Sequence, residues 1–113
     1  MTVKVSSQER AGATVVALEG EINSTTSGGL QSQLLPFIGQ GSVVLIDLTG
    51  ISYISSAGLR TLLIVHRHAQ QLDAEITLVG LSEEVSFVMS ATGFLDFFRV
   101  AEDLDAELER AGR

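Results

Sequence analysis

The chain has 113 residues, 45% hydrophobic and 19% charged. That is enough for one core and too few charges for a disordered chain. The net charge of -7 leaves no basic patch for nucleic acid or an anionic membrane, and the absence of cysteine removes disulfides, thiolate chemistry and cysteine-bound zinc. Met1 to Arg10 lacks the apolar region of a signal peptide, and no apolar run reaches membrane-spanning length. A soluble, cytoplasmic protein of one domain, residues 1–113, is therefore expected.

Val3 and Val5 alternate with polar residues, so Thr2 to Ser6 is predicted as a strand. Ala11-Gly12 marks a turn within Glu9 to Ala13, and Thr14 to Glu19 is a second strand, antiparallel to the first because the connection is short. Gly20 to Thr25 is a loop. Ser24 or Thr25 is placed to cap a helix over Thr26 to Ile38, with Leu30, Leu34 and Phe37 on one face. Gly28, Gly29 and Pro36 weaken that helix. Ser42 to Leu48 is almost wholly apolar, the mark of a central strand buried on both faces, with Asp47 near its end and a break at Thr49-Gly50.

A helix is predicted from Ser56 to Gln71, with Leu59, Leu62, Leu63 and His66 at helical spacing. Ala74 to Val79 is a further strand. Ser82 caps the next helix, whose first turn holds Glu83 and Glu84, and Gly93 ends it. Leu95 to Val100 is read as a short edge strand and Glu102 to Ala111 as a last helix with Leu104, Leu108 and Ala111 on one stripe. Alternating strands and helices give an α/β fold with parallel neighbours. Ligands and partners of such sheets favour the carboxyl ends of the strands. The loops Gly20 to Thr25 and Thr49 to Ser56 form one surface if their strands are parallel neighbours.

The run Ser55-Ser56-Ala57-Gly58 sits on the turn into the Ser56 to Gln71 helix. Serine before a helix is first of all a cap, worth about 1 kcal/mol. The same place suits a serine that is phosphorylated, because the helix dipole favours negative charge there. Two adjacent serines allow both roles, with Ser55 as the cap and Ser56 outward. Ala57 and Gly58 are small enough to admit another protein's backbone, although packing explains Gly58 equally well.

Catalysis finds little support. His66 and His68 point to different sides of their helix. Ser56 and His66 are about 15 Å apart along it, too far for a nucleophile and its base. Asp47 has no second carboxylate beside it in sequence, and the glycines do not form a phosphate-binding loop with a lysine. Phe94, Phe97 and Phe98 form an aromatic group whose default reading is packing.

Four segments stand in order along the chain: Leu18-Glu19-Gly20-Glu21-Ile22-Asn23, Val44 to Ile54, Ser55-Ser56-Ala57-Gly58-Leu59, and Leu78-Val79-Gly80-Leu81 with Thr92-Gly93-Phe94-Leu95. Together they resemble the STAS domain of the anti-sigma factor antagonist (anti-anti-sigma factor) type found in bacteria. The resemblance spans Thr14 to Val100. It implies a small mixed β-sheet with helices packed mainly on one face, and a binding switch rather than an enzyme, with no cofactor or metal of its own.

In that family the unphosphorylated antagonist binds an anti-sigma factor, a serine kinase of the histidine-kinase-like ATPase fold, and a sigma factor is released for transcription. Phosphorylation separates the pair, and a PP2C-type phosphatase resets the cycle. By this resemblance Ser56 is the phosphoacceptor, and Asn23, Ser24, Ser55, Ser56, Ala57, Gly58 and Arg60 form the partner surface. Ser55 and Asn23 stand where the family usually has aspartate, and Ala57 where it has serine or threonine. Two acids near the acceptor are thereby made neutral, so they repel an added phosphate less. The rival reading is a non-switching STAS scaffold or a transporter-associated subunit.

Overall fold

A computed structural model describes residues 3–111. The strands are β1 (Lys4–Arg10), β2 (Ala13–Ile22), β3 (Val43–Ile54), β4 (Glu75–Val79) and β5 (Arg99–Ala101). The helices are α1 (Ser27–Leu34), α2 (Ser56–Gln71), α3 (Glu83–Ala91) and α4 (Leu104–Ala111). The strands form one sheet in the order β1-β2-β3-β4-β5. β1 is antiparallel to β2, and the remaining pairs are parallel. The mixed α/β fold expected from the sequence is therefore present, with β3 at its centre.

Alternation along the strands sends side chains to two different layers. Val16, Leu18 and Ile22 of β2, Val44, Ile46 and Leu48 of β3, and Ile76 and Leu78 of β4 enter the main core. There they meet Leu30 and Leu34 of α1, Leu59, Leu62 and Val65 of α2, and Val85 and Met89 of α3. Each such side chain, fully buried, contributes roughly 1.5–3 kcal/mol. On the opposite face Ala13, Val15, Leu45 and Val79 form a smaller cluster with Leu108 of α4. Three helices cover one face and one short helix covers part of the other.

The predicted break at Thr49-Gly50 is instead a bulge. β3 runs on to Ile54, and between Asp47 and Gly50 it spends one more residue than β2 spends between Ala17 and Glu19. A second extra residue lies between Ile51 and Tyr53, opposite Gly20 and Glu21. The inserted residues let Leu48, Ile51 and Ile54, each three apart, all face the main core. Gly50 is required by close approach, since a Cβ there would lie 2.7 Å from the Leu18 carbonyl oxygen. Asp47 accordingly lies inside the strand, where its carboxylate accepts from the Thr49 N–H at 3.0 Å and from the Thr49 hydroxyl.

Other boundaries move for local reasons. β1 extends to Arg10 because its antiparallel ladder with β2 continues to the Ala11-Gly12 turn. The expected start at Thr2 lies outside the described residues. β2 likewise runs past Glu19 to Ile22. α1 ends at Leu34, and Pro36 lies within a 3-10 turn over Leu35–Phe37. The expected edge strand at Leu95 begins as a 3-10 turn over Phe94–Phe97, and the strand itself is Arg99–Ala101. Phe94 and Phe98 pack on the main core, while Phe97 is exposed. Gly93 takes the left-handed conformation expected of it, φ +80°.

The stripe predicted on α4 is present, with Leu108 buried and Leu104 and Ala111 half-buried, and Glu107 is buried on the same face. Its carboxylate accepts from Arg99 Nε at 2.9 Å and Arg110 Nε at 2.7 Å. Arg110 also reaches Glu75 at 2.9 Å, and Arg10 reaches Asp105 at 3.1 Å. The Arg99 hydrogen bond is the main reason that the Glu107 carboxyl is held below its usual range.

Candidate functional site

The parallel pairing of β2 with β3 ends at Ile22 opposite Ile54. The chain leaves both strands at the same edge of the sheet, so the Asn23 turn and the Ser55-Ser56 turn lie side by side. The Ser55 N–H donates to the Ile22 carbonyl at 2.8 Å and joins them. Thr61, one turn into α2, donates its hydroxyl to the Ser27 carbonyl at 3.3 Å and fixes α2 against the start of α1.

Ser55 is the cap and Ser56 faces outward, the placement expected of the two serines. Ser55 has an extended backbone and is the N-cap of α2, its Oγ accepting from the Gly58 N–H at 3.3 Å. Ser56 is the first residue of the helix and is exposed. Because Ser55 serves the helix end, the Ser56 hydroxyl is free: it makes no side-chain hydrogen bond among the described residues. It borders an open groove with Ser27, Gly28, Gln31, Arg60 and Ile64. Arg60, one turn further along α2, is exposed and forms no ion pair among the described residues.

The small residues behind Ser56 differ in use. Ala57 is half-buried beside the groove. Gly58 does not belong to the outer surface on which it was expected. It is buried, and a Cβ there would come within 2.6 Å of Ile22 and 2.8 Å of Ile54. Its glycine answers to packing under the site rather than to a partner's approach.

Neither Ser24 nor Thr25 caps α1, contrary to expectation. The N-cap is Thr26, without a side-chain cap bond. Asn23 organises the turn instead, its Oδ1 accepting from the N–H groups of Thr25 at 2.9 Å and Thr26 at 3.1 Å. The Thr26 hydroxyl donates to the Glu21 carbonyl at 2.8 Å. An amide oxygen supplies the acceptor an aspartate would, without the charge. Ser24 is left exposed beside the turn.

His66 is half-buried, its ring edge-on to Phe98 at 5.2 Å, and burial lowers its pKa. Among the described residues no group of three or more His, Asp or Glu side chains is placed to hold a metal. None of the described helices is long and apolar enough to cross a membrane. Sequence reasoning missed Ser27, Gln31 and Thr61, since only the packing of α1 on α2 carries them to Ser56. It also missed Tyr53 and Phe87, which the structure leaves 51% and 72% exposed.

Residues 4–107 match the STAS domain family. The chain belongs to the STAS domain family. A candidate anti-sigma factor antagonist, BtrV of Bordetella bronchiseptica, is 33% identical over 105 residues, covering 92% of this STAS chain and 90% of that protein. The crystal structure of a candidate anti-sigma factor antagonist from Thermotoga maritima shares the fold at a TM-score of 0.86, over 96% of this chain and 95% of that one, with 14% identity. The Bacillus cell fate determinant SpoIIAA in its phosphorylated form shares it at 0.69, over 96% and 98%, with 16% identity.

Proposed function

We propose that this STAS domain is an anti-sigma factor antagonist whose binding is switched at Ser56. Unphosphorylated, it binds an anti-sigma factor that is also a serine kinase of the histidine-kinase-like ATPase fold, and so frees a sigma factor. Phosphate on Ser56 ends the contact, and a PP2C-type phosphatase restores it, all in the cytoplasm. The observation that carries this reading is the division between Ser55, bonded to the helix end, and Ser56, exposed and unbonded one residue later. BtrV, similar along most of its length, is named for the same role, and SpoIIAA is known in a phosphorylated form.

The chemistry required of the antagonist is small. The Ser56 hydroxyl must be reachable, and the residue must tolerate a phosphate without unfolding. A phosphate adds about -1.5 to -2 charge, and at a helix N-terminus the dipole accepts that charge. The effect is then local. The surface formed by Asn23, Ser24, Ser56, Ala57 and Arg60 gains charge, bulk and a hydration shell. Burying that charge against a partner without a counter-charge costs several kcal/mol, and a loss of about 2.7 kcal/mol is already a hundredfold in affinity.

The test is to phosphorylate the protein with its anti-sigma kinase and ATP, map the phosphate by mass spectrometry, and measure affinity before and after. Phosphate on Ser56 with binding lost supports the switch. Phosphate on Ser55, or unchanged affinity after Ser56 is modified, removes it.

A further inference from the structure

Two aromatic rings stand in solvent beside the switch region. Tyr53 lies near the end of β3, three residues before Ser56, and Phe87 lies on the outer side of α3. They border one open groove together with Ser52, Ile54 and the first turn of α3, where Glu83 and Glu84 sit. The core does not need either ring, because α3 already buries Val85 and Met89. A fold that turns a phenylalanine 72% into water, next to a second exposed ring and over an apolar floor, has the form of a contact surface. Aromatic residues in such grooves supply contact area at little entropic cost and are enriched among binding hot spots.

Charge decides what the groove takes. Glu83 and Glu84 are exposed and are in no ion pair among the described residues. They suit the start of α3, but a helix end carries only about half a positive charge, so a surplus of negative charge faces the groove mouth. A second copy of this chain would set its own Glu83 and Glu84 against the first pair, in a molecule of net charge -7. A basic partner gains what a second copy loses.

We propose that the Tyr53–Phe87 groove docks an apolar side chain flanked by lysine or arginine, presented by the same anti-sigma factor that acts on Ser56; this assignment of partner rests on the function proposed above. The antagonist then holds its partner at two places. Phosphate on Ser56 disrupts one of them, and the groove alone is too weak to hold the pair together.

The experiment measures calorimetric affinity for the purified anti-sigma factor at low and high salt, with thermal melts on the same samples. The expected result is that Phe87→Ser weakens binding about tenfold or more without a matching fall in melting temperature, while Phe87→Leu keeps most of the affinity. The double variant Glu83→Lys/Glu84→Lys is expected to bind more weakly and with a flatter salt dependence. Phe87→Ser and the double charge reversal both binding within about twofold of wild type, below a useful hot-spot threshold, overturns the groove and leaves the Ser56 switch standing. Loss of binding in the groove variants with wild-type binding by Ser56→Asp and by the phosphoprotein supports the groove and removes the switch. A wild-type chain that does not bind the anti-sigma factor removes both. A concentration-dependent dimer in sedimentation that Phe87→Ser abolishes gives the groove to a second copy and overturns the proposal.

Discussion

The two faces of the sheet are held by different physics. The face under α1, α2 and α3 is a continuous apolar layer in which Leu18, Leu45's neighbours Val44 and Ile46, Leu62, Leu78 and Met89 exclude water almost completely. The opposite face has a small apolar cluster under Leu108 of α4, and ion pairs from Arg99, Arg110 and Arg10 ring that helix. Apolar burial carries no titrating group and is not screened by salt, whereas ion pairs at half-exposed arginines weaken with salt and depend on pH. The Ser56 turn rests on the first face, with Gly58 pressed against Ile22 and Ile54. The support beneath the Ser56 turn is therefore apolar packing, with no ion pair in it among the described residues.

The contrast is broken most directly by truncating one leucine on each face. Leu62→Ala, at 1% exposure, is expected to lose about 2–5 kcal/mol. Leu108→Ala is expected at or below the bottom of that range, because α4 can settle onto the smaller cavity. Urea denaturation of both variants decides. Equal losses would show one cooperative core rather than two unlike layers.

Next in size is the charge at the centre of the α4 contact. Glu107→Gln leaves Arg99 and Arg110 without their carboxylate, and a loss of about 1–3 kcal/mol is expected. The pH sign follows from the lowered pKa. Because the folded carboxyl lies below the unfolded value of 4.5, its contribution is complete above that value and is lost as the pH falls through the folded one. Thermal melts from neutral to acid pH should show a steeper acid loss in wild type than in Glu107→Gln. Parallel curves would mean that Leu108, and not the ion pairs, holds α4.

The adjacent serines give a smaller and sharper comparison on the other face. Ser55→Ala removes the cap of α2 and is expected to cost about 1 kcal/mol. Ser56→Ala removes an unbonded hydroxyl and should stay within about 0.5 kcal/mol of wild type. Chemical denaturation of the two variants checks this, and a reversed order would reassign the cap.

The smallest effect expected is at His66. Burial lowers its folded pKa below 6.5. As the pH falls from that value, the unfolded chain takes up a proton that the folded chain resists, so stability declines until the folded pKa is reached. His66→Leu should flatten that stretch of the melting profile, while an unchanged slope would assign it elsewhere.

Much of this molecule was legible along the chain because it is local. The span of α2 from Ser56 to Gln71 follows from apolar spacing and a serine cap, and the Ser82 cap of α3 and left-handed Gly93 are equally short-range. The apolar run in β3 declared a central strand. The outward position of Ser56 was legible too, since it depends on the turn into one helix.

What tertiary structure decided is whatever depends on a second strand or helix. Thr49-Gly50 has the composition of a break and becomes a bulge only because β2 runs alongside and fixes the register. For Gly58 a partner's approach and packing fitted the local sequence equally well, and Ile22 and Ile54 close over it and decide for packing. The burial of Glu107 depends on Arg99, eight residues earlier on β5, and on Glu75 of β4, which holds Arg110 from across the sheet. Ser27 and Gln31 reach the Ser56 groove, and Phe87 and Tyr53 come to line one groove, through packing that no local pattern encodes. Backbone propensity and hydrophobic period act over a few residues, so they place caps and strands. Which side chains meet across the fold is set by contacts between segments far apart in sequence, and that geometry appears only when the chain has closed on itself.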